Sequence, residues 1–181
     1  MDKSLKNLRL TVVLAMLTAI SIVLGKYIAI RGGDVMRFSL ENMPIIFAGM
    51  AFGPIAGVLV GVCADIIGCL MVGYTINPLV TLGAAVIGAL SGIIPLFLKK
   101  RELDSRIITI ITVTVAHLIG SVIIKTVGLA AYYDFPFYIL LLWRLINYAI
   151  VGIIDGLTAH ILLNNRGIRM QINAIMKGEE K

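Results

Sequence analysis

The run MPIIFAGMAFGPIAGVLVGVCADIIGCLMVGY, Met43 to Tyr74, decides how this chain folds. As one straight helix it would be about 48 Å long, against a bilayer hydrocarbon core of about 30 Å. About a third of the way along it stands Gly53-Pro54, a helix stop followed by a residue suited to the first turn of a new helix. The run therefore reads as two helices, a short one over 44–52 and a full-length one over 54–72. The short helix cannot span alone, and its broken backbone is tolerable only under protein or a water-filled cavity.

Outward from this stretch, apolar runs cover 10–30, 79–98, 105–129 and 137–163, and the charges lie between them. Lys3, Lys6 and Arg9 precede the first run; Lys99, Lys100, Arg101 and Arg106 fill one connection; Arg166, Arg169, Lys177 and Lys181 close the chain. If the central run crossed once, these clusters would fall on opposite faces of the membrane. Two crossings put them all on one face, which the positive-inside rule makes cytoplasmic. The expectation is an all-α integral membrane protein, a six-transmembrane-helix bundle with cytoplasmic N and C termini, forming a single membrane domain over 1–181.

Composition agrees. Of 181 residues, 59% are hydrophobic and 14% charged, with a mean hydropathy of +0.99. Soluble domains sit near about 45–50% apolar and about 25% charged. A soluble domain, a disordered chain, a disulfide scaffold and a nucleic-acid reader with one basic face are excluded. The first apolar run exceeds the ~7–15 residue core of a secretory signal and lacks a cleavage site, so it is expected to stay as a span. Cys63 and Cys69 would lie about 9 Å apart along one helix, too far to bridge, and read as packing residues.

Three connections face outward: Arg31 to Met43, Gly73 to Pro78, and Ala130 to Pro136. They are rich in Gly, Asn, Tyr and Phe. Tyr132, Tyr133 and Phe137 could line a ligand-facing rim or anchor at the membrane interface, and sequence leaves both open. Within the spans stand Lys26, Asp65, Lys125, Arg144 and Asp155, each costing at least about 2.5 kcal/mol at mid-membrane unless paired or turned inward. Lys26, Lys125 and Arg144 lie in the outer halves of their helices, near Arg37 in depth. Four cations facing Asp34, Glu41, Asp65 and Asp134 would ring a cavity that favours an anion. The alternative is that Lys26 snorkels and Lys125 pairs with a carboxylate. Asp155 lies some 16 Å deeper than Arg144 and is expected to meet a helix end or a basic neighbour.

Arg144, Asn147 and Tyr148 share one helix face and could hold a carboxylate beside a heteroaromatic edge. Ala15 and Ala19 form a small-xxx-small patch that admits another helix closely, inside or outside the bundle. His117 and His160 stand alone in apolar sequence and read as packed or interfacial. No nucleotide, metal-hydrolase or serine-nucleophile motif is present, so no enzyme, metal site or cofactor is expected, and any ATP use falls to another chain.

Three segments carry a family resemblance: RFSLENMPIIFAGMAFGPIAGVLVGVCADIIG (Arg37 to Gly68), INPLVTLGAAVIGALSGIIP (Ile76 to Pro95) and WRLINY (Trp143 to Tyr148). Together they resemble the substrate-binding S component of energy-coupling factor (ECF) vitamin transporters, most of all its folate-specific branch. The resemblance implies a six-helix bundle with one cavity at the outer face, in a bacterial plasma membrane, closed by the first and third outer loops. It implies capture of folate or a similar vitamin, release inward by a transmembrane coupling subunit and two ATP-binding subunits, and Ala15 and Ala19 as the contact with that subunit. Lys26, Arg37, Phe38, Ser39, Asp65, Tyr74, Lys125, Tyr132, Arg144, Asn147 and Tyr148 are the residues expected at the substrate. Many relatives carry Arg where Lys26 aligns, and lysine keeps the charge but loses the bidentate fork. An S component for riboflavin or thiamin, or a stand-alone secondary transporter, are the alternatives.

Overall fold

The computed structural model describes residues 3–32, 36–133 and 136–176. Asp34, Asp134, Lys177 and Lys181 lie outside the described residues, as do the side chains of Arg37 and Tyr133. In chain order the elements are α1 (Lys3–Ile22), a π-helical turn (Val23–Tyr27), β1 (Ile30–Gly32), β2 (Met36–Phe38), α2 (Asn42–Phe52), α3 (Pro54–Val72), α4 (Pro78–Lys99), α5 (Ser105–Ala116), a π-helical segment (His117–Ile124), α6 (Lys125–Tyr133), α7 (Phe137–Asn164) and α8 (Arg166–Met176). The chain is an all-α membrane protein. Among the described residues, five helical stretches are long and apolar enough to cross a bilayer, and Asn42–Phe52 is a shorter apolar helix.

Local chemistry sets the boundaries. Gly53 adopts φ +96°, which a side chain would strain, and Pro54 opens α3 in the same step. Gly73 closes α3 in the left-handed region, its N–H returned to the Cys69 and Leu70 carbonyls. Asn77 caps α4 by accepting from Leu79 N at 3.0 Å and Val80 N at 3.4 Å. Its amide also donates to the Gly128 carbonyl at 2.8 Å, tying α4 to α6.

Three departures from the sequence expectations concern this architecture. The first helix does not continue to residue 30: after the π turn, where Ile28 N bonds Val23 O at 3.0 Å, the backbone extends into the β1–β2 hairpin. That hairpin pairs Ile30 with Phe38 and Gly32 with Met36 in the connection between the π turn and α2. Helix α6 passes residue 129 and runs to Tyr133. Finally, α8 forms where only a basic tail was expected. Its Ile168, Ile172, Ile175 and Met176 fall on one face and pack against Phe47, Phe52 and Ala56, while Arg166, Arg169 and Gln171 are exposed.

The bundle centres on a glycine seam. A Cβ at Gly57 would meet the Gly88 carbonyl at 2.4 Å, one at Gly61 the Ala84 carbonyl at 2.5 Å, and one at Gly49 the Gly88 carbonyl at 2.7 Å. Helices α2, α3 and α4 therefore touch backbone to backbone, as small residues permit where lipid offers no hydrophobic drive. Ile45, Ile46, Ala48, Val60, Ile87, Val113 and Ala116 fill the space beside the seam. The outer surface is apolar, with Ile55 77% and Ile153 64% exposed, a liability in water that lipid removes.

Candidate functional site

Charged side chains from separate elements meet at one end of this core. Ser21 of α1, Lys26 of the π turn, Glu41 just before α2, Asp65 of α3 and Lys125 at the start of α6 line one small cavity, floored by Ile45, Gly61, Ala64 and Ala84. Lys125 Nζ lies 3.2 Å from Glu41 Oε1 and donates to Asn42 Oδ1 at 3.4 Å. Asp65 Oδ2 accepts from Thr81 Oγ1 at 2.6 Å, which fixes the carboxylate against α4. Lys26 Nζ stands 3.6 Å from Cys69 Sγ and 5.8 Å from the Tyr74 ring centroid, within cation–π range. Ser21 Oγ donates to the Glu41 carbonyl at 2.6 Å and holds that turn in place.

The space enclosed is about 10 Å³, room for about one water. Vitamin-sized ligands occupy pockets of about 300–1,000 Å³, so this is a closed form of any such site. A groove of about 720 Å³ lies elsewhere, between α5 with its π-helical continuation and α7, lined by His117, Tyr148, Gly152, Gly156 and His160 among others. Its walls are mainly apolar, with Arg106 the one lysine or arginine on them and no carboxylate, so the charged cavity is the better candidate for polar recognition.

The expected residues divide. Lys26, Asp65 and Lys125 are brought together with Glu41, and exposed Tyr74 stands over Lys26. Phe38 and Ser39 are half-buried in and after β2. Tyr132 is exposed near the end of α6. Arg144 does not line the cavity: its Nη1 donates to the Ser121 carbonyl at 2.5 Å and its guanidinium lies 5.8 Å from the Tyr148 ring. At the end of the π-helical segment the Lys125 N–H bonds the Gly120 carbonyl in place of the Ser121 carbonyl an α-helix would offer it, and Arg144 supplies a donor there. Asn147 is buried beside it, and Tyr148 stacks on His117 with centroids 5.0 Å apart. Ala15 and Ala19 are exposed on the outside of α1, with Met16 and Ile20 beside them.

A model of the ECF transporter substrate-specific component family matches residues 8–163. The chain belongs to that family. Similar solved structures include FolT bound with folic acid, at TM-score 0.66 and 21% identity, covering 84% of this chain and 90% of that one. Another is the S component of a bacterial ECF transporter, at 0.66 and 21%, covering 91% and 98%. A third is the S component for biotin from an ECF-type ABC transporter, at 0.67 and 19%, covering 94% and 98%. No curated protein matches the chain. As an ECF substrate-specific component it is a transport subunit of the membrane, and its fold is the S-component fold.

Two features of this S component escaped the sequence reading. His117 is not solitary: its ring lies 3.0 Å from Asp155 Oδ2 and 3.3 Å from Ser121 Oγ, deep in the bundle. Cys69 is more than packing, since its sulfur touches Lys26. The sequence reading asked for a helix end or a basic neighbour for Asp155, an ionisable residue in an apolar span, but did not name His117 as that neighbour.

Proposed function

We propose that this S component captures folate, or a closely related anionic vitamin, at the charged cavity on the outer side of a bacterial plasma membrane. The observation that carries the reading is the convergence of Lys26, Lys125, Glu41 and Asp65 from four separate elements on one enclosed space. Two ammonium groups suit the carboxylates of a glutamate tail. Asp65, a pure acceptor when ionised, suits the donor edge of a pterin, and Tyr74 offers a face for the flat ring. FolT bound with folic acid shares the fold, and so does the biotin component, which makes another carboxylate-bearing vitamin the second reading.

In this reading the termini are cytoplasmic, the first and third outer loops open to admit the ligand, and a coupling subunit with two ATP-hydrolysing partners drives release inward. Ala15 and Ala19 provide the close contact for that subunit, since they are small and face away from the bundle. The test is titration of the detergent-purified chain with folate by calorimetry or Trp143 fluorescence, with biotin, riboflavin and thiamin as competitors. Saturable binding at or below micromolar supports folate. Displacement by biotin but not by folate selects the second reading, and no binding of any of the four refutes both.

A further inference from the structure

A line of hydrogen bonds leaves the cavity and runs into the bundle. Lys125 Nζ donates to Asn42 Oδ1 at 3.4 Å, and Asn42 Nδ2 donates to Ser121 Oγ at 3.2 Å. Ser121 Oγ lies 3.3 Å from His117 Nδ1, and His117 Nε2 lies 3.0 Å from Asp155 Oδ2. Asn42, Ser121 and Asp155 are fully buried, and His117 and Lys125 are each 3% exposed. Three of the five sit four residues apart on the π-helical segment and its end, at 117, 121 and 125. Departures of this kind from α geometry recur at functional sites.

With His117 in its Nε2–H tautomer, the donor inventory gives the line one direction. An ammonium only donates, so Asn42 presents its oxygen to Lys125 and its amide to Ser121. Ser121 Oγ, accepting from that amide, has its own proton to give to His117 Nδ1. A neutral imidazole that accepts on Nδ1 carries its hydrogen on Nε2 and donates it to the Asp155 carboxylate. Every bond points from Lys125 toward Asp155, so each polarises the next. The charges around the line balance: Lys125 and Arg144, the latter on the Ser121 carbonyl, face Glu41 and Asp155.

Interhelical glue alone would need a His117–Asp155 pair but no fixed polarity reaching a cavity lysine. We infer that His117 and Asp155 are positioning residues for the ligand cavity: through Ser121 and Asn42 they hold the Lys125 ammonium at the cavity wall and set its affinity for an anion, an inference resting on the anionic-vitamin reading above. A ligand carboxylate that draws Lys125 away from Asn42 frees the Asn42 amide to rotate. The proton on Ser121 then turns away from Nδ1, and the His117 ring, still held through Nε2 by Asp155, loses that hydrogen bond.

The chain has two histidines, so His160→Gln leaves one imidazole to observe. Ring-15N histidine spectra of the full chain in detergent are expected to show His117 protonated on Nε2. Lys125→Met, a substitution three hydrogen bonds away, should shift both ring nitrogens, and saturating folate should do the same. Ser121→Ala keeps the His117–Asp155 pair and changes little volume, so it guards against a folding failure in Asp155→Asn. Each variant is expected to weaken folate binding about 2- to 30-fold. The double variant should lose no more than the worse single one, because both cut the same line. Unchanged imidazole signals in Lys125→Met, or wild-type folate affinity in both Ser121→Ala and Asp155→Asn, would overturn the inference. If the parent binds no folate, the ligand reading falls, and the Lys125→Met comparison still decides the linkage.

Discussion

Gly61→Ala places one methyl group where the fold leaves no room for it. The added Cβ would stand 2.5 Å from the Ala84 carbonyl oxygen and 3.3 Å from Ile45 Cγ2, whereas ordinary contact begins at 3.4 Å. Because the obstacle is backbone, no rotamer change relieves it, and α3 must retreat from α4 by about 0.9 Å. One helical turn away, the Thr81–Asp65 hydrogen bond would stretch from 2.6 Å toward about 3.5 Å, the edge of a real bond. Overpacking of this kind costs about 1–3 kcal/mol, a factor of about 5 to 150 in the folding equilibrium. Gly156→Ala is the matched control, since a Cβ there meets nothing within 4 Å. Thermal unfolding in detergent, followed through the single Trp143, should show Gly61→Ala clearly destabilised and Gly156→Ala unchanged or slightly stabilised. Folate affinity should fall with the former only. Equal melting of the two variants would refute the backbone-contact account of the seam.

Other outcomes follow from separate features. Ala15→Leu or Ala19→Leu should block vitamin uptake in cells while the purified chain binds as before, and loss of binding in either would sink that division of labour. Asn77→Ala removes both a helix cap and the tie to Gly128, and should lower stability by about 1–2 kcal/mol, measured by the same melts. Ile172→Asp puts a charge into the α8 contact with Phe47 and Phe52; limited proteolysis should then cut within 166–176, and resistance equal to the parent would show that α8 is held by something else.

What the sequence disclosed and what it hid have physical reasons. Gly53-Pro54 announces the α2–α3 break because both residues act through their own backbone torsions. Lys26, Asp65 and Lys125 announce themselves because charge in an apolar run demands an explanation. The partner of a buried charge is another matter: Asp155 and His117 are 38 residues apart, and spacing along different helices says nothing about contact across them. Arg144 shared a face with Asn147 and Tyr148 as its spacing required, but the carbonyl that captured it was released by a π-helical insertion with no mark in the residue pattern. The apolar face of α8 was legible as Ile168, Ile172 and Ile175, and was masked by the basic residues among and around them, Arg166, Arg169 and Lys177. The hairpin was masked by a Gly-Gly pair that suits an open loop equally well.

Glu41 already stands against Lys125, so the protein carries its own rival for any incoming acid. Occupancy at that ammonium is then an exchange of one carboxylate for another, and the measured affinity is the difference between two similar attractions. A neutral analogue would find the internal pair intact and gain nothing by disturbing it. Discrimination between acids and their esters or amides would thus arise without steric conflict, and shortening Glu41 to Asp should tighten the grip on the acid, leave the neutral analogue where it was, and so widen that discrimination.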